Sequence, residues 1–123
     1  MILVDTSIWI DHLRSGDETI AALLHAGRVL AHPFVIGEIA LGNLRRRETI
    51  LVSMQGLPQA VVATDREVLQ FIDQCGLAGL GIGFVDAHLL ASARLTVGSS
   101  LWTRDKRLMS VADRLDVAAR FDN

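Results

Sequence analysis

Four acidic residues stand where solvated acids do not belong. Asp5 is the only charge between Met1 and Ile10, Glu38 the only one between Pro33 and Asn43, and Asp86 the only one between Gly76 and Arg94. Asp105 differs in being flanked by Arg104, Lys106 and Arg107. Each alone has a plain structural reading. Asp5, Asp86 and Asp105 can serve helix N-termini, where free backbone donors and the helix dipole favour carboxylates, and Glu38 can pair with an arginine of the 45–47 run. Together they suggest one site. Two carboxylates ~4 Å apart repel by about 4 kcal/mol at an effective dielectric near 20, so converging carboxylates hold protons or surround a cation. Oxygen-only donors suit hard ions, Mg²⁺ or Mn²⁺. Such an ion keeps several waters, meets substrate phosphates and supports phosphodiester hydrolysis.

The elements that must position these acids are legible in outline. Ile2-Leu3-Val4 is a short apolar run and reads as a buried strand. A helix capped at Ser7 follows, ending at Ser15-Gly16. Ser15 and Glu18 suggest a capping box for a second helix, closed by Gly27. Strands are expected at 29–31, 61–63 and 101–103, with an edge strand at 117–121. Helices are expected at 34–41, 45–54, 84–95 and 105–115, and one from the capping box Thr64/Glu67 to Gly76. Asp86 should be the most buried of the four acids, because its helix is apolar on nearly every face. The helix carrying Glu38 has the same character. Short apolar strands alternating with helices indicate a parallel sheet covered on both faces, with ligands at the carboxyl ends of the strands. Asp5 and Asp105 both fall at such ends.

The segments VDTSIWID, IGEIALGNLRRR, FVDAHLLASA and LWTRDKRL, in this order and at these separations, resemble the PIN-domain nucleases, more narrowly the VapC toxins of toxin–antitoxin pairs. The resemblance spans essentially the whole chain. It implies a three-layer α/β/α fold with a central parallel sheet of about five strands, formed by a single domain over residues 1–123. It implies metal-dependent endoribonuclease activity with Mg²⁺ or Mn²⁺, a VapB-like antitoxin partner and a homodimer. Asp5, Glu38, Asp86 and Asp105 match the acidic metal-site positions, and Thr6 or Ser7 and Thr103 match hydroxyl positions that support them. Many PIN domains carry a further acid shortly after the last of these. Here those places hold Lys106 and Arg107, so one protein-held metal is expected, a second is left open, and the two cations become candidates for RNA-phosphate contact. Arg45, Arg46 and Arg104 are further candidates.

Composition bounds the rest. Of 123 residues, 50% are apolar and 21% charged, which excludes intrinsic disorder. The net charge of −2 excludes binding of nucleic acid by bulk positive charge. The lone Cys75 cannot form an internal disulfide, and the apolar start lacks a basic leader, so a cytoplasmic protein with no membrane segment is expected. His12, His25, His32 and His88 read as non-catalytic; His88 lies about 200° around a helix from Asp86. Trp9 and Trp102 read as packing or interface residues. The run Gly81-x-Gly83-x-x fails as a nucleotide loop because Asp86 holds the last place. An aspartate-nucleophile phosphatase would need a second acid where Ser7 stands. A non-catalytic PIN-like binding module remains the rival reading, and RNA cleavage with and without Mn²⁺ separates the two.

Overall fold

The computed structural model describes residues 1–121. Its elements run β1 (Ile2–Val4), α1 (Thr6–Ser15), α2 (Glu18–His25), β2 (Val29–Leu30), α3 (Pro33–Ala40), α4 (Arg47–Gln55), α5 (Asp65–Cys75), α6 (Phe84–Leu95), β3 (Ser100–Trp102) and α7 (Lys106–Arg114). The sheet is parallel, in the order β2-β1-β3, with Leu3 opposite Leu30 on one side and Leu101 on the other. Leu3, Val4, Val29 and Leu101 are all buried, as expected for parallel strands covered on both faces. Among the described residues no helix is long and apolar enough to cross a membrane.

The sheet is narrower than the five strands expected. Three are regular; the outer two shrink to single parallel bridges, Ala31 with Gln59 and Leu101 with Ala118. On the first edge, pairing falls at 58–60 instead of 61–63. Ala31 N–H donates to Pro58 O and Ala60 N–H to Ala31 O. Val61 N–H then goes to the Thr96 hydroxyl, which pulls the chain out of the sheet and leaves Val61 and Val62 exposed.

Several helices follow their sequence signals, but α1 starts at Thr6 with Asp5, not Ser7, at its N-cap position. α6 has the expected bounds and is buried continuously from Ala87 to Ala93. The Thr64/Glu67 capping box forms, with Glu67 N–H on the Thr64 hydroxyl at 3.1 Å and Thr64 N–H on Glu67 Oε1 at 2.9 Å. The second expected box does not. Asp17, not Ser15, caps α2, accepting from the N–H groups of Thr19 and Ile20. α3 is also less buried than its composition suggests, since Pro33, Gly37 and Glu38 all face solvent.

Candidate functional site

The site is built where the sheet changes direction. From β1 the chain runs through α1 and α2 to β2 on one side, and from β3 through α7 to Ala118 on the other. In an open parallel sheet this reversal opens a crevice at the carboxyl ends of the two strands. Asp5 follows β1 directly, and its N–H continues the ladder to Trp102 O at 2.9 Å. Thr103 and Asp105 follow β3.

A chain of hydrogen bonds joins the two strand ends. Asp5 Oδ2 accepts from the hydroxyls of Ser7 and Thr103, each at 2.8 Å. Those hydroxyl oxygens in turn accept backbone N–H groups, Arg104 onto Ser7 and Asp105 onto Thr103. Asp5 sits at the N-cap position of α1, yet its carboxylate makes no capping bond. The capping explanation therefore fails for Asp5. It holds in half for Asp105, whose Oδ1 accepts from the N–H groups of Arg107 and Leu108. Asp86 likewise uses Oδ2 to accept from Gly83 N–H at 3.0 Å. Glu38 meets no arginine of the 45–47 run; its Oε1 accepts from the Thr6 hydroxyl at 2.6 Å, joining α3 to α1.

A common pattern emerges from these bonds. Every one of the four carboxylates has one oxygen fixed by the scaffold, and the other has no hydrogen-bond partner among the described residues. Asp5 is the most deeply placed, 7% exposed, whereas Asp86 is half-buried and Glu38 and Asp105 are exposed. The expectation that Asp86 lies deepest is thus corrected, because it occupies the first turn of α6, ahead of the buried stretch. Asp86 nevertheless feels all the others. Burial raises its carboxyl above the ordinary value, and the charges of Asp5, Asp105 and Glu38 raise it further, against the lowering effect of Gly83 N–H. Among the described residues, no three His, Cys, Asp or Glu side chains form a ready-made metal cage. The donor set fits a hard cation that keeps part of its water shell, with one free oxygen available from each acid.

The basic candidates separate. Arg104 is held by Asp11 at 2.7 Å and Asp17 at 2.9 Å. Arg45 lines a groove with Glu38. Arg46 turns the chain into α4 with φ +53, and Arg47 Nη2 donates to Ala40 O. Arg107 lies across Gly81, and Lys106 is exposed at the start of α7.

Two buried histidines bear on the site through its frame. His32 is fully buried; its Nδ1 accepts from Phe34 N–H at 3.0 Å, capping α3, and its Nε2 lies 3.1 Å from Ser92 Oγ on α6. Because Nδ1 accepts, the proton resides on Nε2 and is donated to Ser92. This ties the helix bearing Glu38 to the helix bearing Asp86. The signal in the sequence is a histidine immediately before Pro33, the first residue of α3. His88 instead meets the exposed Asp65 at 3.1 Å. Trp9 is buried in the core, and Trp102 packs on Phe121.

Comparison with known proteins agrees with this architecture. Ribonuclease VapC32 from two strains of Mycobacterium tuberculosis is 46% identical over 118 residues, covering 96% of this chain and 95% of the relative. The crystal structure of FitAcB from Neisseria gonorrhoeae shares the fold, with a TM-score of 0.62 and 21% identity over 96% of this chain and 95% of that one. The family model for the PIN domain matches residues 2–114, from the first residue of β1 to the last of α7, and the chain belongs to the PIN-domain family.

Proposed function

We propose that this chain is a metal-dependent endoribonuclease of the VapC type, the toxin of a type II toxin–antitoxin pair, acting as a single domain over residues 1–123. The observation that carries the reading is the set of four carboxylates at the sheet's reversal point, each with one oxygen anchored and one left free. Similarity to Ribonuclease VapC32 supports RNA as substrate. Asp5, Glu38, Asp86 and Asp105 would hold Mg²⁺ or Mn²⁺, which when bound neutralises phosphate charge and polarises water for hydrolysis.

The chain's own residues prepare that chemistry. Ser7 and Thr103 hold Asp5 in one orientation and Thr6 does the same for Glu38, so two free oxygens are fixed before any ligand arrives. Burial and the neighbouring acids hold the Asp86 carboxyl above its ordinary value, and Oδ1 is the oxygen open to a proton when no cation is present, since Oδ2 already accepts from Gly83. Four carboxylates without a cation repel an RNA phosphate, so the bare centre does not itself hold the scissile phosphate.

A VapB-like antitoxin is the proposed partner. It would lie in the groove of about 760 Å³ that has Ile10, Leu13, Ile39 and Leu44 in its wall and Glu38 at its edge. We also propose a cytoplasmic homodimer, which light scattering at micromolar concentration checks. The deciding experiment is cleavage of RNA with Mn²⁺ and with EDTA. Asp5→Asn, Glu38→Gln, Asp86→Asn and Asp105→Asn should each abolish cleavage and leave the fold intact. Near wild-type cleavage by Asp86→Asn would refute the site. No cleavage by the wild type under any divalent ion would favour a binding module.

A further inference from the structure

A second cleft begins one residue past Asp105 and is lined by cations instead of acids. It has a volume of about 310 Å³ and lies between the turn at Leu80 and one face of α7, lined by Leu80, Lys106, Arg107, Ser110, Val111 and Arg114. Both of its walls lead along the chain to acids of the site. Lys106 follows Asp105, and Leu80 precedes by three residues Gly83, whose N–H holds Asp86.

Like most cations of the chain, the three that line this cleft have no carboxylate partner among the described residues; what sets them apart is that they share it. Arg104 and Arg120 are paired with carboxylates, whereas no carboxylate among the described residues lies within ion-pair distance of Lys106, Arg107 or Arg114. All three are exposed. Two of them are positioned by backbone. Arg114 Nη2 donates to Cys75 O at 2.6 Å and keeps its remaining donors. Arg107 lies over Gly81, where an added Cβ would come within 2.8 Å of its Nη1. Gly81 has φ +78, so the turn needs glycine on both counts. Lys106, Ser110 and Arg114 recur every four residues on one helical face and span about 12 Å.

We propose that this cleft binds the RNA backbone, with Lys106, Arg107 and Arg114 meeting the phosphates of the strand as it leaves the four-acid centre. The inference rests on the ribonuclease reading and locates where the substrate continues beyond the scissile bond. An acidic protein segment would satisfy the charge alone. The contiguity with acids that act on a phosphodiester favours RNA, and a guanidinium matches a phosphate in a planar, two-point contact. The local positive charge also explains how a chain of net charge −2 engages a polyanion.

The test is fluorescence anisotropy of a short fluorescein-labelled oligouridylate in EDTA, so that no cleavage competes, across a salt series. Each phosphate-neutralising cation contributes ~0.7 to the slope of log affinity against log salt on a single strand. The variant Lys106→Gln/Arg107→Gln/Arg114→Gln should therefore lose roughly 2 from that slope. Arg28→Gln, which removes one charge from the far side of β2, should leave it unchanged. An unaltered slope in the triple variant overturns the proposal. So does a triple variant that keeps its RNA affinity but loses binding of an oligoglutamate, which would give the cleft to an acidic protein. Wild-type cleavage with Mn²⁺ is measured alongside. If cleavage is present and the slope does not move, the cleft alone is wrong; if cleavage is absent, the ribonuclease reading falls first and the cleft with it.

Discussion

Acid should loosen this protein through His32 before it protonates most carboxylates. Burial, with a smaller contribution from the charge of His88, lowers the His32 imidazole from 6.5 to about 4. The unfolded chain takes up a proton as the pH falls through 6.5 while the native state does not, so stability is complete above that value and lost towards 4. The full displacement corresponds to about 3.4 kcal/mol, of which roughly 2 kcal/mol is lost by about pH 5. With an unfolding entropy of ~2.1 cal/mol/K per residue, that loss lowers the melting temperature by roughly 8 °C for a chain this long. Two other groups act outside the window or against it. Asp17 is lowered, chiefly by Ile20 N–H, and its contribution fails only near or below the ordinary carboxylate range. Asp86 is raised, so the native state takes up its proton early and slightly offsets the loss. The assay is a set of thermal melts from about pH 8 to pH 5 on the wild type and His32→Gln, which reads the pH slope whatever the variant's absolute stability. Following the His32 ring by NMR in the wild type gives the same answer without a variant. A ring that titrates near 6.5, or equal slopes in both proteins, refutes the reasoning. If it holds, protonating Nδ1 removes the α3 cap and loosens the join between the helices of Glu38 and Asp86.

Other measurements bear on the acids and on the turns. Asp86→Asn should raise the metal-free melting temperature at neutral pH, because it removes a charge that the other three acids oppose while an amide oxygen still accepts from Gly83 N–H; a lower melting temperature with a full Mn²⁺ response would make Asp86 a structural cap. Mn²⁺ at a hundredfold excess over Kd should stabilise the wild type by about 2.7 kcal/mol, roughly 10 °C, and Na⁺ at equal ionic strength should not. Gly81→Ala should cost about 1–2 kcal/mol from its left-handed backbone, read by chemical denaturation, and displace Arg107. Thr64→Ala should cost about 1 kcal/mol, since it removes one half of a formed capping box.

What the sequence determines here is local. The bounds of α6, the Thr64/Glu67 box, the apolar runs of β1 and β3 and the anomalous setting of the four acids are all readable, because each depends on residues within a turn or a strand's length. The placement of Asp5 and Asp105 at strand ends follows from the same short-range order. Tertiary structure decided the remainder. Asp17 displaced Ser15 as the cap of α2, and Arg104 was drawn to Asp11 and Asp17 from 87 or more residues away. The Thr103 hydroxyl reached Asp5 across 98 positions. On the edge beside β2 the expected strand gave way to a single bridge at Gln59, and the Val61 N–H went to the Thr96 hydroxyl instead of to the sheet. Asp86 proved shallower than Asp5 because depth depends on where a helix starts relative to the sheet, which its own composition does not encode. Hydrogen bonds and ion pairs between distant segments are settled only when packing brings the partners together, so a pattern of neighbours in sequence carries little information about them.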